Sequence, residues 1–359
     1  MPLPPRWLRR VLLAPAVVLG AAALVTTLPL WVFAGVALAS VIPGRLRVPR
    51  VLWMVTFYLL WDSMALMCLF GLWVASGFGW RLRTPAFQRA HYRLAGWYLR
   101  VLFRQVRWTL RLRVHVEGAD LGTALAGQPV IVASRHAGPG DSFILIHALL
   151  NWFGREPRIV LKDTLQWDPA IDVTLNRLPN RFIAPSPFTS TGPVTTPGAG
   201  TPPAGPEAVR RATAGPRAQV ANLARGLGPD DAFVIFPEGG NFTDSRRRRR
   251  IERLRRDGHH AMADRAEAML HVMAPRPGGI LAALDAAPEA GVIFIAHTGL
   301  DRMRTVGDIW RELPMDKRIV MHGWEVPRAE IPADEDERID WLYRWWEHID
   351  EWIGANGPG

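Results

Sequence analysis

Between Val11 and Gly44 the chain carries no charged residue, and between Val51 and Trp80 only Asp62 interrupts. Each run exceeds the ~20 apolar residues that cross a bilayer core, whereas a secretory signal has an apolar region of only ~7–15 residues. Residues 1–84 are therefore expected to form a membrane hairpin. The single cysteine, Cys68, lies inside the second run, which excludes an intrachain disulfide and any cysteine-based metal site.

The flanks decide orientation. Arg6, Arg9 and Arg10 precede the first run, "PGRLRVPR" joins the two, and Arg81 and Arg83 follow. All three basic segments compete for the cytoplasmic side, where Lys and Arg are enriched. A hairpin that dips into the cytoplasmic leaflet, helped by the break "TLPLW" at Pro29, resolves the conflict better than two spanning helices. Either arrangement places residues from 81 onward in the cytoplasm, at the cell membrane. A net charge of +10, carried mostly by arginine, suits anionic headgroups or a phosphorylated substrate, with nucleic acid the weaker choice.

Residues 85–110 read as an interfacial amphipathic helix. On a helical wheel Arg89, Arg93, Arg100, Arg104, Arg107 and Arg111 fall within roughly 60° of one another. Trp97 and Trp108 belong at the boundary between headgroups and acyl chains. Residues 111–359 change character. "RLRVHVEG", "PVIVAS", "PRIVLK", "AFVIFPEG", "GVIFIAHTG" and "RIVMHGWEV" read as strands, separated by helical stretches that include Arg246 to Val272 and Asp334 to Ile353. Strands alternating with helices predict an α/β fold with a mixed, largely parallel sheet flanked by helices. Residues 184–216 are dense in Pro, Gly, Thr and Ser, cannot bury a core, and are expected to form a flexible insertion.

"PVIVAS" leads directly into "RHAGPGDS", which holds His136 and Asp141 at the carboxyl end of a strand, where α/β folds bind ligands. A neutral imidazole can take a proton from a hydroxyl, and a carboxylate on its other nitrogen fixes the tautomer. The competing explanation is that Asp141 caps the helix beginning "SFILI" and His136 is a plain loop residue. "FVIFPEGG" is a second strand end, where Glu238 can hold a loop and Gly239 lets the backbone approach a ligand.

In this order, behind an apolar hairpin, "HAGPGD" and "FPEG" resemble the motifs of the glycerolipid acyltransferase family, which acylates lysophosphatidic acid and related lysolipids. "VLKDTLQWDPAIDVTLNRLPNRFI" and "VIFIAHTG" look like further blocks of the family, and "FPEGGNFTDS…APRPGG" is similar to its lysocardiolipin acyltransferase-like branch. The resemblance, over residues 110 to 353, implies a glycerol-3-phosphate acyltransferase-like fold. It makes His136 the general base, Asp141 its orienting partner, and Glu238 and Gly239 part of the acceptor site. It also implies direct attack on an acyl thioester, which suits a chain without a G-x-S-x-G elbow. Ser142 is left as a possible donor or, more simply, a helix N-terminal residue.

Two positions depart from the family pattern. Gly240 and Asn241 stand where Thr-Arg commonly follows Glu-Gly, and Ala184 and Pro185 where Asp-Arg commonly follows Phe-Ile. The acceptor phosphate is then left to Arg181, Arg276 or Lys162. "SRRRRRIERLRR" adds eight arginines within residues 246–256, read equally as a solvated face or as a lipid- or phosphate-attracting patch. His259, His260 and Asp264 lack the further ligands of a metal site.

The resulting expectation is transfer of a fatty acyl group from acyl-CoA or acyl carrier protein to a lysophospholipid, foremost 1-acyl-sn-glycerol-3-phosphate, without metal or cofactor. Acylation of a different lysophospholipid, or lipid remodelling, remains open, as does a non-catalytic scaffold binding anionic membrane lipids.

Overall fold

The computed structural model describes residues 3–41, 46–118, 125–138, 140–183, 215–300, 307, 310–311, 313 and 316–357. The insertion expected at 184–216 falls almost wholly outside them.

Seven strands form one sheet: β1 (Arg113–Glu117), β2 (Val130–Ser134), β3 (Glu156–Lys162), β4 (Arg181–Ile183), β5 (Asp231–Ile235), β6 (Gly291–Thr298) and β7 (Arg318–Val326). Their order is β1-β7-β6-β2-β5-β3-β4, with every pairing parallel except β6 with β7. β4 is a strand the sequence pattern did not single out. β2 and β6 are buried at every position, as continuous apolar runs covered on both faces must be.

One face of the sheet is covered by α4 (Pro85–Leu110) and α5 (Asp141–Asn151), whose core includes Phe103, Leu145, Val132 and Ile293. The other face carries α7 (Pro216–Ala224), α8 (Asp244–Arg256), α9 (His260–Ala268), α10 (Pro277–Ala286) and α11 (Glu335–Asn356). α11 starts at Asp334, whose carboxylate accepts from the Asp336 and Glu337 N–H groups, and it lays Trp341, Trp345 and Trp346 around Phe294 of β6. The single helix expected from Arg246 to Val272 is two: α8 ends at Arg256 with Asp257 as its cap, and Gly258 takes a left-handed φ of 83° that breaks the chain before α9.

The apolar N-terminus folds as α1 (Arg6–Thr26), α2 (Leu28–Val41) and α3 (Arg47–Ala75). Pro15 lacks an N–H and crowds the carbonyl four residues back, and there α1 widens into a π-helical stretch over Arg9–Leu13. Pro29 does not turn the hairpin. It kinks one arm between α1 and α2, while α3 returns antiparallel along both: Ala14, Val17 and Val18 pack with Ala65 and Leu66, and Gly35 faces Leu52 and Val48.

Both ends of this hairpin are tied to the α/β domain. Arg9 is buried in an ion pair of 2.7 Å with Asp172 on α6 (Pro169–Arg177), and its guanidinium also donates to Gln166 at 3.0 Å. At the far end Arg47 donates to the carbonyls of Leu313 and Arg311, and Arg50 to that of Thr109. The hairpin thus lies along the domain. α1 and α3 are long and apolar enough to cross a membrane, and they expose Leu19, Met67 and Phe70, with Leu30 and Phe33 exposed on α2. On α4 all five helical arginines of the stripe are exposed and Arg111 follows as its C-cap, with exposed Trp97 and Trp108 alongside.

Candidate active site

β2 ends at Ser134, and the next residues turn across the sheet edge between the loops that follow β5 and β6. Arg135 is 2% exposed; its guanidinium donates to the carbonyls of His297 (2.8 Å) and His271 (3.0 Å), which pins the chain before it reaches His136. The His136 ring lies against Phe236 with centroids 4.4 Å apart, and the His136 carbonyl accepts from the Phe242 N–H at 2.8 Å.

His136 Nδ1 is 2.8 Å from Asp141 Oδ2. The same oxygen accepts from the backbone N–H groups of Ala137 (2.8 Å) and Gly138 (3.1 Å), and Oδ1 accepts from the N–H and hydroxyl of Ser142. Gly140 occupies the cap position and Asp141 is the first helical residue, so this carboxylate ties the loop to the helix and holds the imidazole with the same two oxygens. Burial favours the neutral acid. The His136 ring, His297 and the Gly138 N–H outweigh it and hold the Asp141 carboxyl down at about 2. An ionised Asp141 accepts only, so Nδ1 of His136 carries the proton and Nε2 keeps the lone pair. The nearby hydroxyls are turned away from Nε2: Ser134 donates to the Arg135 carbonyl and Ser142 to Asp141.

Glu238 is 1% exposed rather than open to an acceptor. One oxygen accepts from the His136 N–H at 3.1 Å and the other from the Met273 N–H at 3.3 Å. Burial pushes its carboxyl up to about 8, against the pull of the Arg135 guanidinium and those two amides. Glu238 therefore clamps the loops after β2 and α9 together. The second of these is itself held by Asp350 of α11, which accepts from the N–H groups of Leu270, His271 and Val272.

Gly239 has a φ of 71°, and a Cβ there would meet the Arg276 side chain at 3.3 Å. Arg276 also donates its N–H to the Pro237 carbonyl at 2.8 Å, and Arg250 reaches the Glu238 carbonyl at 3.2 Å. Burial, with Arg276 beside it, brings Arg250 down to about 10. Of the three cations expected at the phosphate, Arg276 alone lies on this turn. Lys162 ends β3 and Arg181 opens β4, beyond β5 from β2, and among the described residues no hydrogen bond or ion pair joins either to the His136 loop.

Arg135, Phe236 and His297 escaped the sequence reading, and Arg250 entered it only as one of the arginine run at 246–256. His297 of β6 is 3% exposed, with Nε2 3.7 Å from Asp141 Oδ2, across a narrow cavity lined by Ile144, Leu145, Leu300 and Met321. An arginine directly after a wholly apolar strand was the one available signal, for Arg135. Among the described residues no group of three or more His, Cys, Asp or Glu could hold a metal ion.

The fold is thus a largely parallel α/β sheet with an imidazole–carboxylate pair at the end of its central strand. Residues 113–275, from β1 to the residue before Arg276, match the family model described as Acyltransferase. The chain is also similar to the crystal structure of the 1-acyl-sn-glycerophosphate (LPA) acyltransferase PlsC from Thermotoga maritima. That match has 14% identity and a TM-score of 0.46, covering 84% of this chain and 98% of the other. No curated protein matches the chain in sequence.

Proposed function

We propose that the protein is an acyltransferase that moves a fatty acyl group from an acyl thioester to the free hydroxyl of a lysophospholipid, with 1-acyl-sn-glycerol-3-phosphate as the acceptor and phosphatidic acid as the product. The carrying observation is the 2.8 Å contact of His136 Nδ1 with an ionised Asp141, which leaves Nε2 basic at the end of β2. His136 takes the hydroxyl proton as the acceptor oxygen attacks the thioester carbonyl. The carbon–sulfur bond then breaks, and the imidazolium, stabilised by Asp141, returns the proton to the departing thiolate. Arg276 and Arg250 on the Gly239 turn supply the paired cations that a phosphomonoester calls for.

The hairpin supports a membrane setting. Because both its ends are bound to the domain, it lies in one leaflet with the domain on the cytoplasmic side, the exposed apolar residues in the acyl region and the α4 arginines at the headgroups.

The test is thiol release from acyl-CoA by purified protein, with and without lysophosphatidic acid. Release should require the acceptor and vanish in His136→Ala, and release that survives the substitution overturns the mechanism. Arg276→Ala should raise the acceptor KM at least tenfold, and an unchanged KM removes Arg276 from the phosphate. No release with any lysolipid or donor favours a lipid-binding scaffold.

A further inference from the structure

The arginines of α8 do not spread evenly around the helix. Arg246, Arg250 and Arg253 recur at four and three residues and share one face. That face meets the turn after β5. A Cβ on Gly240 would lie 3.1 Å from the Arg246 guanidinium, which donates to the Asn241 carbonyl, and Arg250 donates to the Glu238 carbonyl. Arg276 covers Gly239 from the other side, near enough to Arg250 and Arg253 for their charges to repel. By contrast, Arg255 pairs with Glu267 and Asp264, and Arg247 is spent on the Met269 and Glu267 carbonyls.

From Arg246 to Arg253 the helix rises about 10 Å. One phosphate makes bidentate contact at a single point of such a strip, so Arg250 and Arg276 already satisfy the acceptor phosphate placed beside Gly239. Gathering further guanidinium groups there opposes folding unless an anion joins them, and sites that bind ligands tolerate that strain.

Resting on the acyl-transfer reading, we propose that Arg246 and Arg253, flanking Arg250 and Arg276, form a subsite for a second phosphate held together with the acceptor phosphate. Two sources share that chemistry: the nucleotide phosphates of acyl-CoA, or a second phosphate on the acceptor headgroup. In either case the ligands are more highly charged than one phosphomonoester.

Equilibrium binding to the full chain in detergent tests this without requiring turnover. One arm compares CoA with pantetheine, which lacks the nucleotide. The other compares lysophosphatidylinositol phosphate with lysophosphatidylinositol. Arg246→Ala/Arg253→Ala should weaken CoA or the doubly phosphorylated lysolipid at least tenfold more than its partner probe. Whichever pair responds names the source. Arg248→Ala, which removes a charge from a different face of α8, should leave both ratios as in wild type. The lysine variants Arg246→Lys and Arg253→Lys, which keep the charge but lose the fork, should give intermediate losses if the double alanine variant misfolds. Unchanged ratios in both arms, or equal losses in Arg248→Ala, overturn the subsite. Absence of acyl transfer with a retained ratio change would instead sink the reaction and leave the subsite standing.

Discussion

Glu238 accepts a hydrogen bond from the backbone N–H of His136 at 3.1 Å across 102 residues of sequence. The contact joins the two strand ends that carry the site. It also explains why a carboxyl group this buried is kept: its two oxygens replace water as the partners of two amides.

Glu238→Ala should therefore act twice. Leaving two buried amides unpaired should cost about 1–3 kcal/mol of stability for each, read from chemical denaturation. Folded protein at low temperature should still turn over slowly, because His136 loses its alignment. Wild-type stability and rate would remove Glu238 from the clamp.

Asp141→Asn keeps the shape of the loop but can present an N–H to His136 Nδ1, which favours the tautomer with the proton on Nε2. A fall in kcat of about three to four orders of magnitude is expected, with KM little changed. Circular dichroism separates this from unfolding, and a loss below tenfold would contradict the assigned role.

His147 sets a pH dependence away from the site. Its ring stacks on Phe103 at 4.1 Å and its Nδ1 accepts from Asn151, which in turn receives Arg100. Burial, then Arg100 and Arg107, lowers it from 6.5 to about 4. Below pH 6.5 the unfolded chain takes up a proton that the native chain refuses until about 4. Stability from this group is full above 6.5 and lost as pH falls through that window. Denaturation midpoints measured from pH 7 to 4 should fall less steeply in His147→Phe, and parallel curves would exclude the effect.

Arg9 and Asp172 offer a double-mutant test of how the hairpin is fastened. Arg9→Ala should destabilise the protein by about 3 kcal/mol, since Asp172 is fully buried and keeps only Arg10 at 3.3 Å as a charged partner, with the Asn176 amide at 3.0 Å. Arg9→Met with Asp172→Leu should recover much of that loss. Additive losses in the pair would mean that the two residues stabilise independently.

Topology is open to labelling. In a Cys68→Ser background, Arg6→Cys and Leu46→Cys, the latter exposed at the turn between α2 and α3, should both react with an impermeant thiol reagent from the same side of sealed vesicles. Protection of Leu46→Cys alone requires true crossings.

The legible parts of the site were local ones. His136 and Asp141 are five residues apart on one turn, so their meeting needs little beyond the Gly-Pro-Gly bridge. The strands were legible because their apolar runs are short and bounded. β4 was not, being only Arg181–Ile183 against β3. The break at Pro29 was legible, but not the path beyond it, because a proline can kink an arm and let it continue as well as end it. The break between α8 and α9 was written in Asp257-Gly258, but the arginine-rich periodicity on either side masked it. Arg135 and His297 gain their meaning only from the β2–β6 pairing, which joins segments more than 150 residues apart and leaves no local trace.

Arg9 on Asp172 and Arg47 on the Leu313 carbonyl fasten the apolar hairpin to the domain at both ends. For a lipid substrate on the proposed reading this makes catalysis one-sided. The acceptor arrives by lateral diffusion in a single monolayer, and the heavier product is released into that same monolayer. Each turnover adds acyl area to one side only, so growth of the opposite side depends on a separate step that carries lipid across.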